Sequence, residues 1–263
     1  MKTPSNIAHF NSPPPGGARG GLNIPITLIS YSLSHKVVNQ LKLYLYLKSV
    51  CSGHYKIRDE NIKSACTFLG LKTAKTIHKN LQWLIYYKWV AYNSNTSSIR
   101  VKSFARLCHT LDIETKSGVF FENDDFHNFR PFLYAAIYAW SIRHKNWLER
   151  QPVRKKGRAR KSMSKANTGN HRGQMPNRYL AKILQLDRST ISRYKLAAST
   201  AGYLTAEHQY EDTQLSIKFL YPMQKYLPDE AHLFVVHDGT IQRQLPDRIA
   251  SSIHLKHCRN RPP

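Results

Sequence analysis

Two stretches of this chain carry the same landmarks at the same interval. Thr76-Ile77 and Thr190-Ile191 are 114 residues apart, Trp89-Val90 and Tyr203-Leu204 are also 114 apart, and Leu71 and Leu186 are 115 apart. The extra residue falls in a turn. Self-similarity at a fixed interval predicts two copies of one unit, a diverged duplication, in place of one large domain.

The second copy is the clearer one. Asn177 to Leu204 reads as a helix, a sharp turn and a second helix. Ala181, Leu184 and Leu186 supply the apolar side of the first half, and Asp187 or Ser189 can cap the second helix through a side-chain oxygen. Ile191, Tyr194, Ala198 and Ala201 recur at i, i+3, i+7 and i+10, one helix face. Arg188, Ser189, Ser192 and Arg193 fall on the other, with Lys195 beyond them. Gly202 ends the helix, because glycine takes the left-handed conformation without penalty. A second helix that offers hydroxyls and cations is what a helix-turn-helix lays in a DNA groove.

The first copy repeats the pattern. Asp59 or Asn61 can cap a helix through Leu69, Gly70 marks the turn, and Ile77, Leu81, Leu84 and Ile85 make the apolar face of a helix from about Thr73. Lys72, Thr73, Lys75, His78 and Lys79 lie on its other side. Trp89 to Tyr92 and Ile99 to Lys102 read as two strands joined by the polar turn 93–98, a wing that carries Arg100 and Lys102. The wing of the second copy is expected to return through Leu215, Ile217, Phe219 and Tyr221, with an acidic tip at 207–214 that avoids a phosphate backbone.

Around these copies the chain divides as follows. Residues 1–22, rich in Pro and Gly, read as a disordered arm; 23–120 as the first domain; 121–225 as the second; 226–263 as a C-terminal extension with a further strand at 233–236 and a basic, frayed tail. Residues 23–33 read as a short strand. Lys36 to Val50 fits both period 2 and a helix, and its length favours the helix. Arg130 to His144 reads as an aromatic-rich helix, capped from Asp124 or Asp125 in the FENDD group rather than built around a metal. Between residues 143 and 172 there are eleven Lys or Arg and one acid, Glu149. That stretch reads as a mobile basic insert, 150–172, whose Arg154, Lys155, Lys156, Arg158, Arg160 and Lys161 touch phosphate.

Forty Lys and Arg against sixteen Asp and Glu give a formal charge of +24. Such an imbalance repels itself in a compact fold unless a polyanion relieves it, which points to nucleic acid. The four cysteines are scattered with no CxxC pair, as in a reducing compartment, and no long apolar run begins the chain or spans 18 residues. The expected location is cytoplasmic and nucleoid-associated, with no membrane partner. No GxxxxGK[ST] loop occurs, nor the two-histidine triplet of a rolling-circle nuclease. His254, His257 and Cys258 in a tail make a poor zinc set. No cofactor, metal or catalytic residue is therefore expected.

Tandem winged helices in one chain of this size resemble plasmid and phage replication initiators of the theta type. The carrying residues are Leu69–Lys79 with Trp89-Val90, and Ala181–Tyr194 with Tyr203-Leu204. The resemblance implies binding to repeated origin sites and, often, repression of the initiator's own promoter. A homodimer and host replication proteins are further expected partners. The expected fold is α+β and mostly helical, two tandem winged helix-turn-helix domains. The expected function is sequence-specific binding of double-stranded DNA for replication initiation. A transcriptional regulator of a mobile element shares that architecture. A nicking enzyme or tyrosine recombinase is the reading from another class, open because the chain has fifteen tyrosines.

Overall fold

The computed structural model describes residues 21–51, 54–115, 117–155, 171–216, 218, 225, 234–237 and 239–257. It is α+β, with about half of the described residues helical. The chain forms two compact units. One is Val38–Asp112, with which the described residues up to Leu22 also group. The other combines Asn23–Val37 with the chain from Ile113 onward, so Val38–Asp112 is inserted between the two parts of the second. Residues 23–37 and 113–120, read in the sequence as part of the first domain, group with the second unit. The expected arm at 1–22 lies almost wholly outside the described residues.

The inserted unit runs α2 (Val38–Val50), β2 (His54–Lys56), α3 (Asp59–Leu69), α4 (Ala74–Tyr86), β3 (Val90–Asn93), β4 (Ser98–Val101) and α5 (Phe104–Thr110). Its three strands pair in the order β2-β4-β3, antiparallel throughout. α2 is buried along Leu43–Leu47 on every side, which explains why its apolar run has no clear helical stripe. Ile62, Ala65 and Leu69 of α3 and Ile77, Leu81 and Leu84 of α4 close the core over Trp89. The Trp89 ring is edge-on to Tyr44 at 5.5 Å, and the Tyr44 hydroxyl donates to the Lys102 carbonyl at 2.9 Å.

The second unit opens with β1 (Leu22–Pro25) and α1 (Ile26–Ser34); residues 26–33 are helix, not the expected strand, because strand pairing stops at Pro25. It resumes with β5 (Ser117–Phe121) and α6 (Phe129–Lys155), then β6 (His171–Gln174), α7 (Asn177–Leu184), α8 (Arg188–Thr200), β7 (Leu204–Ser216), β8 (Phe234–His237), β9 (Thr240–Ser251) and β10 (Leu255–His257). One sheet has the order β1-β5-β10; the other has β6-β9-β7, with β8 on the edge of β9. Three expectations change here. α6 continues to Lys155, so the front of the expected mobile insert is helix. The wing does not turn at 207–214: β7 runs through these residues, and its partner is β9 in the expected extension. Residues 255–257 of the expected frayed tail pair antiparallel with β5.

The two units share an order of elements, helix, strand, helix, helix, strand and a later strand that pairs with both earlier ones, β2-β4-β3 in the first and β6-β9-β7 in the second, where β8 is additional and comes before β9. α4 and α8 are both 13 residues long and start 114 residues apart. The turns match bond for bond. Leu71 N–H donates to the Cys66 carbonyl at 2.9 Å and Leu186 N–H to the Ala181 carbonyl at 3.0 Å; Trp89 N–H donates to Leu84 at 2.8 Å and Tyr203 N–H to Ala198 at 3.0 Å. Each motif holds two left-handed residues. In the first unit they are Gly70 (φ 66°) and Lys88 (φ 59°); in the second, Gln185 (φ 52°) and Gly202 (φ 78°). Each copy therefore has glycine at one site and a strained side chain at the other. Gln185→Gly and Lys88→Gly should each stabilise by about 1 kcal/mol, since a left-handed L-residue costs about that much. Thermal melting should register a rise of a few degrees; a fall would mean that the side chains make contacts that outweigh the strain.

Candidate nucleic-acid interface

Each motif projects its second helix with a polar, cationic face outward. In α4 the burial of Ile77, Asn80, Leu81 and Leu84 fixes the rotation, leaving Lys72, Thr73, Lys75, His78, Lys79 and Gln82 exposed. In α8, Ile191 and Ala198 are buried, and Arg188, Ser189, Ser192, Arg193 and Leu196 are exposed. Neither helix has an acid in its first turn. At α4 such a start favours a phosphate, because unpaired N–H groups and the helix dipole make it electropositive, whereas at α8 the exposed Asp187 carboxylate at the N-cap offsets this. The N-caps are Thr73 and Asp187, and neither caps through its side chain. The Thr73 hydroxyl instead meets that of Thr76 at 3.1 Å. Arg193 Nη2 donates to Thr190 Oγ1 at 3.1 Å, which holds the guanidinium along the exposed face.

The remaining sites differ among themselves. Arg100 is exposed on β4, opposite His54 and Ala91 in the ladder. Lys102 is half-buried, and its ammonium donates to Thr110 Oγ1 at 3.5 Å. Arg154 and Lys155 lie on the last turn of α6. Lys156, Arg158, Arg160 and Lys161 lie outside the described residues.

Lys195 is withdrawn from the interface. Its ammonium is ion-paired with the Asp247 carboxylate, whose other oxygen accepts from His208 Nδ1 at 2.8 Å. The two side chains are 14% and 9% exposed. A bulge in the sheet puts Asp247 there. The ladder jumps from Glu207↔Arg248 to Gln209↔Leu245, so Pro246 and Asp247 together oppose His208. An inserted residue bends a strand and re-aims its side chain. Burial raises the Asp247 carboxyl, but hydrogen bonds from Lys195 and His208 and their charges outweigh it, leaving the group below the usual carboxylate range. The sequence held the signal: Lys195 stands at i+4 from Ile191 and i−3 from Ala198, on the buried stripe. Its counterpart 114 residues earlier is Leu81, a core residue.

The acids of β7 do not form an isolated acidic tip. Glu207 stands opposite Arg248 and Glu211 opposite Arg243. In the FENDD group, Asp124–Phe126 form a short 3-10 turn ahead of α6. Asp125 accepts from the Glu122 N–H at 2.8 Å and from the Tyr203 hydroxyl at 2.7 Å. No cluster of metal-ligating side chains occurs among the described residues. Tyr44, Tyr46, Tyr55, Tyr134, Tyr138 and Tyr203 are all pushed above the ordinary phenol range, chiefly by burial. No helix among the described residues is long and apolar enough to cross a membrane. Comparisons with family models, with curated proteins and with solved structures find nothing that matches this chain.

Proposed function

We propose that this protein binds specific double-stranded DNA through two winged-helix units, and that it initiates replication of a plasmid or phage by occupying repeated origin sites. The observation that carries the reading is the doubled motif: two 13-residue helices, 114 residues apart, each with an acid-free first turn and an exposed face of cations and hydroxyls, each followed by a strand in an antiparallel sheet, β3 paired with the next strand β4 and β7 with the more distant β9. Helix in the major groove and hairpin beside it are the parts that a winged helix uses. The charge of +24 supplies the sequence-independent share of the affinity.

Selection of bound sites from random duplex DNA tests the reading, followed by affinity measurements on the selected and on scrambled duplexes. Arg193→Ala should cost about 1–3 kcal/mol on the selected site, the worth of a bidentate guanine contact, and should relax preference at one or two adjacent positions. Equal losses on both duplexes would make Arg193 a phosphate contact. No enriched sequence would remove specific duplex binding altogether. A plasmid that carries the selected repeats should need this gene for maintenance; one that persists without it would leave the regulator reading.

A further inference from the structure

We propose that the C-terminal end of α4 is a stacking platform for unpaired nucleobases, so that the protein also takes single-stranded nucleic acid. Tyr86 is 78% exposed and Tyr87 is 49% exposed. They are not loose. Tyr87 lies against Trp83 with centroids 4.3 Å apart, Trp83 is edge-on to the fully buried Trp89 at 5.4 Å, and Tyr86 is edge-on to Tyr87 at 5.0 Å. Ring contacts thus run from the core to two solvent-facing phenols, presented in a fixed geometry. The fold does not require them. At the positions 114 residues on, the second unit has Ala197, Thr200 and Ala201 in place of Trp83, Tyr86 and Tyr87, with the same turn and the same hydrogen bonds.

Charge selects the occupant. The inserted unit has acids only at Asp59, Glu60 and Asp112, whereas Lys79 lies one turn before Trp83 and Lys88 directly follows Tyr87. A second copy would bring the same positive charge to the contact. A polyanion with flat faces complements both features, as in aromatic-lined cationic surfaces that bind single strands. A duplex hides those faces in its own stack, so this site serves a strand that the duplex-reading end of α4 does not.

The test is fluorescence anisotropy with the full chain and three labelled probes: 20-nucleotide oligo(dT), 20-nucleotide oligo(U) and a 20-base-pair duplex. The comparison is between parent, the double change Tyr86→Leu with Tyr87→Leu, and the double change to Phe. The Leu pair should bind single strands about tenfold to a hundredfold more weakly, the range for one to two lost base stacks. The Phe pair should stay within about threefold, because it keeps the rings. The two oligonucleotides separate DNA from RNA as the source of the bases. Unchanged single-strand affinity in the Leu pair, or equal losses in Leu and Phe, overturns the proposal. So does a parent dimer that the Leu pair dissociates in sedimentation, since the patch would then hold a second copy. Should the double variants fold poorly, Tyr86→Leu alone, at the more exposed ring, discriminates in the same way. Loss of all duplex binding with the single-strand pattern intact would sink the duplex reading and leave this one standing.

Discussion

Asp247→Ala should destabilise the second unit by about 3 kcal/mol, the loss typical when one partner of a buried ion pair is removed. The cost comes less from the lost attraction than from what remains. Lys195 is on the buried stripe of α8 with its ammonium directed at Asp247, and without that carboxylate it is a desolvated charge with no partner. The melting temperature should fall by about 6–12 °C for a unit of this size. Lys195→Leu restores the residue type found at Leu81 in the first unit and leaves Asp247 with His208, so its cost should be smaller. Adding Asp247→Leu to Lys195→Leu should recover most of the stability, since a buried pair replaced by apolar side chains is often neutral. Losses that simply add in the double variant would show that the two residues act separately.

The same network sets a pH dependence. The folded Asp247 carboxyl lies below its unfolded value, so the folded state releases its proton more readily. Its contribution is complete above the ordinary carboxylate range, near pH 4. It drains away as pH falls through that range toward the lower folded value. Acid titration of stability should therefore be shallower in Asp247→Asn than in the parent between about pH 5 and pH 2. Parallel curves would place the acid sensitivity in other carboxylates.

What was legible in the sequence follows local physics. Both helix-turn-helix segments showed because their buried stripes recur at helical spacing and because Gly70 and Gly202 mark left-handed turns. α2 was ambiguous for a physical reason: its middle, Leu43–Leu47, is buried on every side, and a stretch without a polar face has no period to read. The partner of β7 was missed because β9 violates the strand pattern at its centre. Pro246 argues against a strand, yet it sits in a bulge, where a missing N–H removes no ladder bond. The sequence showed Lys195 only as a cation on the second helix of the motif, since its partner is 52 residues away, beyond any local pattern. The insertion of one unit within the other was likewise invisible, because nothing in Asn23–Val37 states that its partners begin at Ile113.

On the proposed function, two reading helices in one chain would turn the second contact with a duplex into an intramolecular step, and avidity of this kind raises affinity by about 10²–10⁴. Lys75→Ala with Lys79→Ala should therefore cost far more on a site with two repeats than on a single repeat, and Arg188→Ala with Arg193→Ala should do the same from the other side. All four side chains are exposed and none contributes to a core, so both variants should melt like the parent. Footprinting should show protection contracting from two major-groove segments to one, with a different segment surviving in each variant. If both Lys75 and Lys79 touch phosphate, the slope of log affinity against log salt should also become shallower by about 1.8, at about 0.9 per contact. A parent footprint confined to one segment would end the two-unit reading and leave α8 as the reading helix. If the lysine pair alone were silent on duplex DNA, the aromatic end of α4 would become the inserted unit's remaining route to nucleic acid, and single-strand affinity would measure it.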